Sequence, residues 1–203
     1  MLGYYNYTVI LTYISLISSF SGMCFALNGS IKEALFCLLF SGMCDMFDGP
    51  IARTKTRTKE EKEFGIQIDS LVDLVCFGVF PAIIGYALKL NSVVHISVLA
   101  LYILAAVIRL SYFNVQESIR QSQTNGKREF YQGLPVTSSA LIFPMLYSFC
   151  LFFEIAFKDV YFWSILIVGI LFISNFKIKK AGKKEMGIMM MLAFASFIIM
   201  CVK

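Results

Sequence analysis

Residues 41–53, SGMCDMFDGPIAR, and residues 64–78, FGIQIDSLVDLVCFG, decide how this chain is read. Both lie in apolar stretches near the length that crosses ~30 Å of hydrocarbon, yet they carry Asp45, Asp48, Asp69 and Asp73. A lone ionised carboxylate in a membrane helix costs about 2.5 to 3.5 kcal/mol on insertion scales, so four of them require compensation. On a helix Asp45 and Asp48 stand at i, i+3, and Asp69 and Asp73 at i, i+4. Each pair therefore points from one face, and two facing pairs make a four-carboxylate cluster.

Outward from these segments the chain is apolar almost throughout. Of 203 residues, 58% are hydrophobic and 15% charged, with mean hydropathy +0.74, which excludes a soluble domain. Seven apolar stretches cover residues 8–28, 32–52, 66–88, 92–113, 135–157, 160–176 and 185–202. The expectation is an all-α polytopic bundle of six core spans plus an extra C-terminal span, one membrane domain over residues 1–203. Helices satisfy their own backbone hydrogen bonds in lipid, whereas open sheets do not. The N-terminus lacks the basic region of a secretory signal, so the first span is expected to be retained.

The charges orient the bundle. The connections after spans two, four and six hold 13 Lys and Arg residues, against four on the opposite connections and the C-terminus, with Arg109 inside span four. The positive-inside rule then places the N-terminus and these loops in the cytoplasm. The net charge of +5 reads as attraction to anionic headgroups; no aromatic and basic array points to nucleic acid. The six cysteines show no CxxC spacing, and His95 is the single histidine, so neither a thiolate site nor a multi-histidine zinc site is expected.

Something must hold the acids together. Like charges this close repel unless a cation lies between them, and carboxylate oxygens favour Mg²⁺, Mn²⁺ or Ca²⁺. Two other readings stay open from the residues alone: carboxylates that only cap or hydrogen-bond, and a cation channel or carrier pathway. Gly49 and Gly65 lie one turn from Asp45 and Asp69 on the same faces. They leave room for a phosphate or a neighbouring helix. Arg53, beyond the acids, offers a planar fork for a phosphate oxygen.

Together these residues read D45-x-x-D48-G49-x-x-A52-R53, eleven residues, then G65-x-x-x-D69-x-x-x-D73, which resembles the signature of the CDP-alcohol phosphatidyltransferase family. Two further segments, RLSYFNV (residues 109–115) and FYQGLPV (residues 130–136), are similar to the serine-using branch of that family, the phosphatidylserine synthases. The resemblance implies the family's fold and transfer of a phosphatidyl group from CDP-diacylglycerol to the hydroxyl of L-serine. It implies two divalent ions, Mg²⁺ or Mn²⁺, on Asp45, Asp48, Asp69 and Asp73, with Asp73 also the candidate general base. The CDP-lipid would meet Asp48, Gly49, Ala52, Arg53, Gly65 and Asp69. Serine would meet Arg109, Asn114, Arg120 and Gly133, with Lys127 or Arg128 as further donors. A homodimer is the analogous assembly. A sibling enzyme using glycerol 3-phosphate or an inositol phosphate is the nearest alternative.

Overall fold

A computed structural model describes residues 3–4, 7–52, 54–123, 130–179 and 182–203. The chain is a helical bundle: α1 (Ile10–Leu27), α2 (Ile31–Ala52), α3 (Lys59–Asp73), a π-helical turn (Leu74–Val79), α4 (Phe80–Ala87), α5 (Val93–Gln123), α6 (Ser139–Phe153), α7 (Phe157–Ile173) and α8 (Lys183–Val202). Six spans among the described residues are long and apolar enough to cross a membrane, α3 to α4 forming one of them, Lys59–Ala87. The 17 residues of α7 sit at the lower limit of spanning length.

Local signals explain the boundaries. The turn after α1 is a Schellman closure: Gly29, at φ +86, donates to the Ala26 carbonyl and Ser30 donates to Phe25. α3 starts seven residues before the expected apolar stretch because Thr58 and Glu61 form a capping box, which launches the helix through the polar run KEEKEF. α5 likewise continues ten residues past the expected end of span four, through NVQESIRQSQ.

α1 and α2 pack as a hairpin held by serines as well as apolar contacts. Ser15 Oγ donates to the Ser41 carbonyl (3.3 Å), Ser41 Oγ donates to the Ser15 carbonyl (3.1 Å), and the Ser19 and Ser41 hydroxyls lie 2.8 Å apart. In lipid there is little hydrophobic drive between helices, so close packing and such hydrogen bonds carry the association. The core beneath is aromatic and aliphatic, with Phe77, Phe80, Tyr102, Phe143, Tyr161 and Phe172 buried together. Ile17, Leu71, Leu104, Trp163 and Phe194 face outward, as a lipid-exposed surface requires.

The sequence reading contained no strand, yet Phe130–Gln132 pairs antiparallel with Lys177–Lys179. This short ribbon joins the connection after α5 to the connection after α7. Gly133 N–H donates to the Phe176 carbonyl (2.7 Å) and Leu134 N–H to that of Leu171 (3.1 Å). The start of α6 and the end of α7 therefore share one end of the bundle, which makes α6 and α7 a hairpin that runs across it and back.

Pro81 shapes the middle of the third span. It has no N–H, so the Phe77 carbonyl four residues earlier lacks its α-helical donor. Tyr102 Oη (2.7 Å) and Ser139 Oγ (3.3 Å) donate to that carbonyl instead. The π-helical turn contains Phe77 and directly follows Asp73, with Phe80 N–H reaching back five residues to Val75.

Candidate functional site

The C-terminal half of α2 and the middle of α3 face one another through their aspartates. Each of Asp45, Asp48 and Asp69 offers a carboxylate oxygen, and these oxygens all lie within 4.8 Å of one another. Across the two helices the contacts are reciprocal: Asp48 meets Asp69, and Asp45 meets Asp73, each pair within hydrogen-bonding reach. The four acids foreseen from spacing thus converge, with Asp73 one turn further along α3 than the tightest trio. All four are half-buried. Hard oxygen donors at this separation fit a divalent cation such as Mg²⁺, Mn²⁺ or Ca²⁺.

α1 covers one side. Thr12 Oγ1 donates to Asp48 Oδ2 at 3.5 Å, and the Tyr7 hydroxyl lies 3.0 Å from Thr54 Oγ1 just past the end of α2. Sequence reasoning missed Thr12, although a signal existed. Thr8, Thr12, Ser15 and Ser19 form a helical stripe of small hydroxyls on a mostly apolar span, and all four are buried. Ser15 Oγ also lies 3.5 Å from the Cys76 thiol, one turn beyond Asp73.

Gly49 and Ala52 are half-buried on the last turns of α2, beyond Asp45 and Asp48. α2 continues through Pro50 to Ala52, and Arg53 lies outside the described residues. Gly65 is one turn before Asp69, and the room its missing side chain leaves is taken by Arg57, whose Nη1 stands 3.1 Å from where a Cβ would be. No spacing signal in the motif pointed to Arg57.

On α5, Asn114 is brought to the acid helix, where it accepts a hydrogen bond from Ser70 Oγ at 3.0 Å. Arg109 is buried, donates from Nε to the Leu134 carbonyl (3.2 Å) and lies over the Phe113 ring, its carbon 5.7 Å from the centroid. The two segments singled out in sequence, RLSYFNV and the GLP turn, are therefore tied to each other through Arg109. Arg120 is three turns further along α5, its guanidinium gripped by both carboxylate oxygens of Glu117. Gly133, at φ +71, packs against the end of α7, where a Cβ would stand 2.9 Å from the carbonyls of Phe172 and Ser174. Only glycine fits there without strain. Lys127 and Arg128 lie outside the described residues.

Residues 5–173 match the family CDP-alcohol phosphatidyltransferase. The chain is 34% identical over 148 residues to the CDP-diacylglycerol–serine O-phosphatidyltransferase of Saccharomyces cerevisiae, covering 66% of this chain and 52% of that protein. It is 32% identical over 139 residues to the archaetidylserine synthase of Methanothermobacter thermautotrophicus, 68% of this chain and 56% of the other. A CDP-diacylglycerol–serine O-phosphatidyltransferase of Mycobacterium bovis is 30% identical over 174 residues, 84% of this chain and 59% of its own. The chain spans about half the length of the curated relatives it matches.

Proposed function

The chain belongs to the CDP-alcohol phosphatidyltransferase family, and on that premise we propose that it transfers the phosphatidyl group of CDP-diacylglycerol to the hydroxyl of L-serine, giving phosphatidylserine and CMP. The observation that carries this reading is the convergence of Asp45, Asp48 and Asp69 from two membrane helices, with the serine-branch residue Asn114 bonded one position along from Asp69.

Asp45, Asp48, Asp69 and Asp73 would hold divalent metal, Mg²⁺ or Mn²⁺. When bound, the metal supplies charge neutralisation for the diphosphate and for the departing CMP. The protein does the rest by position. Asp48, Gly49, Ala52, Arg53, Gly65 and Asp69 form the donor side, with Gly49 and Ala52 admitting the CDP moiety close to backbone. Arg109 and Asn114 form the acceptor side, with Arg120 and Gly133 at its margins. The serine hydroxyl oxygen attacks the phosphorus that carries the diacylglycerol, the bond from that phosphorus to the CMP oxygen breaks, and the hydroxyl proton passes to Asp73. An ordinary carboxylate is a weak base for an alcohol, so orientation in a site screened from water must contribute much of the acceleration.

In the same reading residues 1–203 act as one membrane domain with its catalytic motif over residues 45–73. It sits in the cell membrane as a homodimer, with the N-terminus and the active site facing the cytoplasm. The basic connections after α2, α5 and α7 support that orientation, and the ribbon between the latter two supports their sharing a side.

The deciding experiment is an acceptor screen with purified protein and CDP-diacylglycerol, reading CMP release with serine, glycerol 3-phosphate, inositol and inositol phosphate, with Mn²⁺ or Mg²⁺ present. Serine-dependent CMP release is expected; its absence rejects the assignment, and release with a phosphorylated alcohol alone moves the chain to a sibling activity.

A further inference from the structure

Between α2 and α3 the connection is held in place on both sides of Arg57. Thr58 caps α3 and Glu61 returns the bond to its backbone (3.0 Å), while Lys55 pairs with the same Glu61 at 3.4 Å. Lys55 of this connection and Lys59 at the start of α3 are thus matched to Glu61 and Glu63. Arg57 is not: its Nε is buried from solvent without a hydrogen-bond partner, and among the described residues no carboxylate lies within ion-pair distance of its guanidinium. A buried donor left unmatched is costly, and an ionic one more so. Its position gives the reason. Nη1 lies over Gly65, one turn from Asp69 on the same face of α3, so a cation without an anion borders the acid cluster.

From this placement we infer that Arg57 is a binding residue for the donor, its guanidinium receiving a phosphate oxygen of the nucleotide diphosphate over Gly65. The inference rests on the phosphatidyltransferase reading and adds a contact that the motif does not contain. The charges favour it. Four carboxylates and the two negative charges of a CDP-lipid exceed two divalent cations by two, and Arg53 and Arg57 are the two arginines in the connection that can balance them. Gly65 then serves by leaving space for a side chain of the chain itself, which in turn meets the phosphate.

A phosphate could come from the nucleotide or from an anionic lipid headgroup, and the test separates the two. Binding of CDP is measured calorimetrically on the full chain in nanodiscs, with Mn²⁺ present, in phosphatidylcholine alone and with phosphatidylglycerol added. Arg57→Gln should weaken CDP binding about tenfold in both membranes, the loss of one charge-assisted contact, with thermal stability kept and Arg57→Lys falling between. Gly65→Ala should weaken binding in the native background, by crowding the guanidinium, and add nothing in the Arg57→Gln background. Wild-type affinity in Arg57→Gln, additive effects of the two changes, or an effect confined to discs with phosphatidylglycerol overturns the inference. A wild-type protein that binds no CDP at all overturns the functional reading itself.

Discussion

Ser70 Oγ donates a 3.0 Å hydrogen bond to Oδ1 of Asn114, joining the acid helix α3 to α5 one residue beyond Asp69. The bond engages Oδ1, so the Asn114 NH₂ is the group that would meet the carboxylate of the proposed serine acceptor. Ser70→Ala should therefore raise the serine KM about two- to tenfold, the worth of one hydrogen bond, with CDP binding unchanged. Steady-state kinetics with serine varied at saturating CDP-diacylglycerol checks this; equal rises in both KM values would place the bond in the scaffold alone.

The aspartates should divide by role. Asp73 lies one turn beyond the trio of oxygens within 4.8 Å and meets Asp45, so Asp73→Asn should lower kcat about a hundred- to ten-thousandfold, the usual worth of a positioned base, while CDP still binds in the presence of Mn²⁺. Asp45→Asn and Asp48→Asn should weaken CDP binding as well as turnover, and excess chelator should abolish turnover in the unaltered protein. Equal loss of CDP binding in all three variants would contradict the division.

The placement of these residues was readable in the sequence to different depths. Spacing alone brought Asp45, Asp48, Asp69 and Asp73 to two faces, because a helix has one period and four charged side chains in lipid have few places to go. Apolar length also located every span, but the ends moved wherever polar residues extend a helix beyond the apolar stretch, as KEEKEF does before α3 and NVQESIRQSQ does at the end of α5. The ribbon of FYQ with KIK was invisible, since three residues a side carry no periodic signal and their pairing is long-range. The π-helical turn was equally hidden, although Pro81 marked the place where a carbonyl would need a new donor. Arg57 was hidden for a different reason, as it lies in the variable connection where no spacing constrains it.

Arg109 offers a contrast between function and support. Its Nε holds the Leu134 carbonyl and its plane covers Phe113, so Arg109→Ala should lower thermal stability whatever else it does. If the guanidinium also receives the serine carboxylate, the variant should raise the serine KM more than the CDP-diacylglycerol KM, and Arg109→Lys, which lacks the bidentate fork, should restore stability more than affinity. A serine KM unchanged in both variants would leave Arg109 a strut between α5 and the loop before α6.

The Phe77 carbonyl gives a prediction that links stability to the active site. Pro81 removes its α-helical donor, and Tyr102 Oη at 2.7 Å and Ser139 Oγ at 3.3 Å both supply it from other helices. Either hydroxyl alone can satisfy the carbonyl, so Tyr102→Phe and Ser139→Ala singly should each cost about 0.5 to 1.5 kcal/mol. Together they leave a buried carbonyl with neither hydroxyl, and the double variant should lose more than the two single losses combined. The consequence reaches catalysis because the π-helical turn begins at Leu74, directly after Asp73. If that turn relaxes when its anchors go, Asp73 rotates away from Asp45 while the Asp45, Asp48 and Asp69 trio, which lies on the other side of it along the chain, stays assembled. The double variant should accordingly show a fall in kcat larger than its loss of CDP affinity, measured beside thermal unfolding in detergent. Additive stability losses with unaltered kcat would show that the turn holds its shape without either hydroxyl.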